Sequence, residues 1–117
     1  MGYYTSYGID VFVKDKDNKI HSVNEDTSKR LIGYLRLINE CAKHAFNDNG
    51  EYIDALKWYD HEEHLKLFSS GYPEYVFLLK GAGEEPGDMW QKYFYNGRVQ
   101  YIPVKLVFDE FDMRKLR

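Results

Sequence analysis

Asn96-Gly97 constrains this chain more than any other pair of residues. It sits between two runs rich in aromatic and β-branched residues, Met89 to Tyr95 and Arg98 to Phe108. It suits the two-residue turn in which both central residues take positive φ, so a hairpin is expected there. The turn also sets the register: Phe94 opposite Val99, Lys92 opposite Tyr101, and Trp90 opposite Pro103. Pro103 has no N–H to donate, which puts its strand at a sheet edge or a bulge. Glu74 to Lys80 is apolar on both sides of its alternation and reads as the central strand of a three-stranded meander. Alternation alone does not decide which face of the Met89 to Phe108 hairpin is buried.

Upstream, Tyr7, Ile9, Val11 and Val13 alternate with Ser6, Gly8, Asp10 and Phe12, predicting a half-buried strand over Tyr3 to Lys14. The polar run Asp15 to Lys19 turns the chain, Ile20 to Val23 can return briefly, and Ser22-Val23-Asn24-Glu25 offers a capping box. Leu31, Leu35, Ile38, Ala42 and Ala45 recur at steps of four and three, with Tyr34, Cys41 and Phe46 widening the stripe. That spacing predicts one amphipathic helix over residues 26–47, stopped by Asn47-Asp48-Asn49-Gly50. A short strand is expected at Leu56 to Tyr59. A second, shorter helix is expected after Asp60, with Glu63 completing a capping box, Leu65 and Phe68 inward, and Gly71 and Pro73 as the stop. The expected fold is therefore α+β: a single antiparallel sheet of about four strands, covered on one face by one long and one short helix, in one domain spanning 1–117.

Composition narrows function by exclusion. Cys41 is the lone cysteine, so neither an internal disulfide nor a cysteine zinc site can form, and a reducing compartment is the simplest expectation. The start has no basic-then-apolar leader, and the longest apolar run, Tyr75 to Leu79, falls far short of a membrane span of about 20 residues. The 16 basic side chains are scattered among 19 acidic ones, for a net charge of −3. Only Arg114-Lys115-Leu116-Arg117 is locally basic, which argues against direct nucleic-acid binding.

The densest polar cluster is Asp60-His61-Glu62-Glu63-His64. Its histidines are three apart, whereas the zinc-protease motif needs four, and acids in a first helical turn meet the positive end of the dipole without further purpose. Gly81 to Asp88 follows a strand like a phosphate loop, but it carries three carboxylates and Pro86 and leads into a strand, so a hairpin loop is expected. Cys41 lies on the apolar stripe of the long helix and reads as a core thiol. No catalytic constellation, cofactor or metal site is expected. The aromatics remain: 11 tyrosines, 7 phenylalanines and 2 tryptophans, more than one small core absorbs with every hydroxyl satisfied. Tyrosine and tryptophan give large contact areas at small entropic cost, so at least one protein-contacting aromatic patch is expected.

The stretches Lys57-Trp58-Tyr59-Asp60-His61-Glu62-Glu63 and Gly83-Glu84-Glu85-Pro86-Gly87-Asp88-Met89-Trp90-Gln91-Lys92-Tyr93-Phe94-Tyr95-Asn96-Gly97 resemble those of small uncharacterised proteins encoded by bacteriophages and prophages. The Met-Gly-Tyr-Tyr-Thr opening and the Phe108-Asp109-Glu110-Phe111-Asp112 close are similar too. The resemblance implies expression in a bacterial cytoplasm and carries no catalytic residues with it. Small phage accessory proteins commonly act by binding a host protein. The leading expectation is thus a non-enzymatic protein that binds a bacterial host protein stoichiometrically, as a takeover factor or an inhibitor of an antiphage system such as CRISPR-Cas. The expected contacts are Trp58, Tyr59, His61, Glu62, Glu63, Glu84, Glu85, Asp88, Trp90 and Tyr93, aromatics as anchors and acids steering toward a basic surface. A nucleotide-type small-ligand binder is the alternative, and a metal-dependent hydrolase using His61 and His64 the second. An exposed sheet edge could pair with a second copy.

Overall fold

The computed structural model describes residues 3–103 and 110–116. Five strands form one open antiparallel sheet in the order β2-β1-β3-β4-β5. They are β1 (Ser6–Lys14), β2 (Ile20–Ser22), β3 (Tyr75–Ala82), β4 (Met89–Tyr95) and β5 (Arg98–Pro103). Helices α1 (Glu25–Ile38), α2 (Glu40–Ala45) and α3 (His61–Ser70) pack on the sheet, and a short 3₁₀ turn spans Met113–Lys115. The α+β class and the C-terminal meander are as expected. The register is too: Phe94 faces Val99, Lys92 faces Tyr101, and Trp90 faces Pro103. Residues 104–108 of the expected last strand lie outside the described residues.

The turn has the expected chemistry, with φ of 46° at Asn96 and 79° at Gly97. Counting out from it, Arg98, Gln100 and Ile102 turn their backbone groups toward β4. Val99, Tyr101 and Pro103 turn theirs to the outer edge, where the missing N–H of Pro103 costs no ladder bond. The hairpin tip is tied to α3 through buried Ser69, whose Oγ accepts from the Gly97 N–H at 2.9 Å and donates to the Lys66 carbonyl at 3.0 Å.

The core lies between the sheet and the helices. It unites Tyr7, Ile9 and Val11 of β1, Phe77 and Leu79 of β3 and Phe94 of β4 with Leu31, Ile32, Leu35, Ala42, Ala45, Phe46, Leu65 and Phe68. Fully burying each large member contributes about 1.5–3 kcal/mol. The hairpin face the alternation left open is thereby decided: Trp90, Lys92 and Phe94 share the helix side.

The edge of β1 away from β3 is covered in pieces. Phe12 to Lys14 pair with β2, the Ile9 N–H donates to the Gly50 carbonyl at 3.0 Å, and Thr5 bridges to Leu56. Gly50 has φ of 78°, and a Cβ there would lie 2.0 Å from the Ile9 carbonyl oxygen, so only glycine allows this approach.

Four expectations are corrected. The helix over 26–47 is two helices, because Asn39 is extended at φ −132°, ψ 113° and caps both. Its N–H closes α1 on the Leu35 carbonyl, and its Oδ1 accepts from the Ala42 N–H at 2.9 Å to open α2. This break resets the helical phase, leaving Leu31, Leu35, Ala42, Ala45 and Phe46 inside but Ile38 exposed. Second, α1 is capped two residues beyond the start of the proposed box: Asn24, not Ser22, is the cap and accepts from the Thr27 N–H at 2.7 Å. Third, Leu56 to Tyr59 makes only the single bridge at Leu56 and no strand. Fourth, Asp60 precedes α3 without a side-chain capping bond.

Candidate functional site

Trp58 organises the junction between α3 and the sheet. It is buried, and its indole packs edge-on against Tyr7 at 5.3 Å and tilts toward Phe46 at 6.3 Å. Its carbonyl accepts from the Tyr7 hydroxyl at 3.5 Å and from His61 Nδ1 at 2.8 Å. A carbonyl can only accept, so His61 carries its proton on Nδ1 and Nε2 offers a lone pair. The Lys92 ammonium donates to that lone pair at 2.8 Å and to Glu62 Oε2 at 2.8 Å. Burial above all holds His61 below the ordinary imidazole range, and the nearby Lys92 charge pushes the same way. The hydrogen bond from Lys92 pulls Glu62 below the usual carboxylate range.

Trp90 closes this network. Its ring stacks on His61 at 5.0 Å and 17°, and Lys92 lies over it at 4.7 Å. The indole rests on its cross-strand partner Gly81, where a Cβ would come within 2.3 Å of the ring. His64 is the counterpart on the other side. Its Nδ1 accepts from the Trp58 indole N–H at 2.9 Å and from Asn39 Nδ2 at 3.0 Å. The Cys41 thiol is pushed up chiefly by burial, so it is not an activated nucleophile. The lone pairs on His61 Nε2 and His64 Nδ1 are thus engaged within the fold. Among the described residues no group of three His, Cys, Asp or Glu side chains is placed to hold a metal ion.

The ten expected contact residues therefore separate. Trp58 is corrected: it belongs to the core and offers no surface to a partner. His61, Glu62 and Trp90 serve the Lys92 network. Asp88 accepts from the Tyr3 hydroxyl, which itself accepts from the Glu85 N–H at 3.0 Å, while Glu84 accepts from the Tyr4 N–H at 3.3 Å. The N-terminal tyrosines thus clamp the acidic loop. Tyr93 lies on the opposite sheet face, between Leu78 and Gln100. Tyr59, Glu63, Glu84 and Glu85 stay exposed.

A surface not expected from sequence adjoins Glu63. Between α1 and α3 runs a groove of about 410 Å³, lined by Tyr34, Leu35, Ile38, Asn39, His64, Leu67, Phe68, Gly71 and Tyr72. Tyr34 and Tyr72 stack at 6.4 Å on its wall. Of its lining residues, Tyr34, Ile38 and Leu67 are 43%, 73% and 76% exposed. Isolated exposed apolar residues need no explanation, but three beside one groove form a patch of the kind that marks an interaction site. A signal for it exists in the sequence. Leu67 lies off the Leu65 and Phe68 stripe, which leaves a large aliphatic residue on the outer face of that helix.

Among the described residues no helix is long and apolar enough to cross a membrane. No protein-family model, curated protein or solved structure matches this chain.

Proposed function

We propose that this chain is a non-enzymatic accessory protein of phage type that binds a bacterial host protein stoichiometrically, as a takeover factor or an inhibitor of an antiphage defence. The observation that carries this reading is the solvent exposure of Tyr34, Ile38 and Leu67 along the α1–α3 groove. Leaving three large apolar side chains in water does nothing for the monomer. Covering them contributes about 1.5–3 kcal/mol each when burial is complete. Exposed Glu63 lies one turn before Leu67 on the same face of α3, so the fitting partner carries apolar anchors with Lys or Arg beside them. Tyr59, Glu84 and Glu85 are exposed as well and stay candidate contacts in this reading.

Capture from a host lysate on immobilised protein tests this. One saturable partner should be retained by the native chain and lost with Leu67→Glu. Retention undiminished by that change would remove the groove from the reading, and no saturable partner would end the reading itself.

The small-ligand alternative is supported by a cleft of about 750 Å³ where Ser6, Gly8, Ala82 and Met89 meet Asn49 to Tyr52, with the Lys80–Asp10 ion pair at one end. A nucleotide at a hundred times its Kd would add about 2.7 kcal/mol of stability, which thermal-shift screening reads directly.

A further inference from the structure

We propose that the sheet face turned away from the helices binds a nucleoside monophosphate, in a cleft of about 700 Å³ at the Asn96-Gly97 end of the hairpin. Register sets the face. Val76 lies opposite Phe12 and Tyr95, Tyr95 lies opposite Arg98, and Lys14 and Tyr93 stand two residues from Phe12 and Tyr95 on the same side. Val76 is 6% exposed yet stands outside the helix-side core, so it gives the cleft an apolar floor. Tyr93 and Tyr95 are half-buried beside it. Tyrosine rings on an open sheet face take a planar base by stacking, whatever the base.

Charge fixes the other half of the ligand. Lys14, Lys19 and Arg98 line the cleft, and no carboxylate does. Elsewhere Lys29, Arg36, Lys80, Lys92 and Arg114 each pair with an acid. Among the described residues the three cleft cations pair with none, and Lys14 Nζ meets only the Asp15 carbonyl at 3.5 Å and the Tyr95 ring at 5.9 Å. The acids nearest in sequence do not cancel them. Asp15 is engaged in its own turn, accepting from the Asp17 and Lys19 N–H groups at 2.8 and 3.0 Å and bonding His21 Nε2 at 2.7 Å, and Asp17 and Glu74 are not part of the lining. Unpaired ammonium and guanidinium groups beside an apolar, aromatic floor suit a phosphate joined to a flat ring. The side-chain amides of Asn18 and Gln100, without partners among the described residues, are left for the ribose or the base edge. The larger cleft by Ser6 and Met89 fits this ligand less well, because its lining cation, Lys80, is already held by Asp10.

Calorimetric titration of the full chain with the common ribonucleoside monophosphates tests the inference. At least one should bind saturably, and the matching nucleoside and ribose phosphate should each bind at least about tenfold more weakly, since each lacks half of the recognised group. Lys19→Gln and Arg98→Gln change exposed side chains and should each weaken binding about tenfold with circular dichroism unchanged. Tyr95→Ala should cost about as much through lost stacking. Lys80→Gln and Leu67→Glu, which touch the other cleft and the α1–α3 groove, should leave nucleotide binding as it is. The site therefore stands or falls apart from host-protein capture, which only the groove variant should abolish. Absence of saturable binding, ribose phosphate binding as tightly as the nucleotides, or affinity lost with Lys80→Gln but kept with Arg98→Gln overturns the proposal.

Discussion

Alanine at position 39 tests whether one side chain divides the long apolar stripe into two helices. The substitution removes the Oδ1 that accepts from the Ala42 N–H at 2.9 Å, and loss of such a cap costs about 1 kcal/mol. It also removes the half-buried bond from Nδ2 to His64 Nδ1 at 3.0 Å, worth about 0.5–1.5 kcal/mol. Against these, alanine is favoured over asparagine in a helix by up to about 0.7 kcal/mol. The net loss is about 1–2 kcal/mol. For 117 residues the unfolding entropy of about 2.1 cal/mol/K per residue converts this to a fall in Tm of about 4–8 °C. Thermal unfolding followed by circular dichroism measures it. Asn39→Asp keeps an acceptor for the Ala42 N–H but loses the amide donor to His64, so it should fall between native and Asn39→Ala. An unchanged or higher Tm for Asn39→Ala would refute the reasoning, because it would mean that one continuous helix, with Ile38 returned to the buried stripe, is at least as stable.

Two further outcomes are expected. Gly81→Ala places a Cβ about 2.3 Å from the Trp90 ring and must push the indole off the sheet. Overpacking of this kind costs about 1–3 kcal/mol and should shift tryptophan fluorescence, whereas native fluorescence and stability would show that the ring does not rest there. The second concerns pH. The folded protein holds His61 below the ordinary 6.5, so the unfolded chain takes up that proton first, and stability present above 6.5 declines as pH falls below it. Glu62, lowered from 4.5 by the hydrogen bond from Lys92, adds a second loss as pH falls below 4.5. Urea unfolding of His61→Gln should lose the decline between about pH 7 and 5 and keep the lower one. Parallel native and variant profiles would place the upper decline elsewhere.

The meander was legible because its determinants are local. Asn96-Gly97 dictates the turn, and the turn dictates every opposite pair down to Trp90 and Pro103. The break at Asn39 was not, because the apolar spacing from Leu31 to Ala45 fits one helix equally well and the deciding partner, His64, lies 25 residues away in sequence. Trp58 was read as surface because sequence cannot show that α3 folds back over it. Lys92 was the overlooked hub. It occupies the inward position between Trp90 and Phe94, and a lysine left 12% exposed in a core-facing register implies a carboxylate reaching in to meet it, which Glu62 does. Such a charge out of phase is a readable sign of a buried network.

The two sides of the sheet have unequal capacity to grow. On one side β2 is only three residues long, and the Gly50 and Leu56 contacts close off most of the remaining β1 edge. On the other, no described residue pairs with the outer edge of β5, and Val99 and Tyr101 present their N–H groups there before Pro103 withholds one. Fibril elongation requires two ends that each accept a new strand. Strand addition at β5 can join two molecules through that edge, and the largely covered β1 edge then offers little to a third.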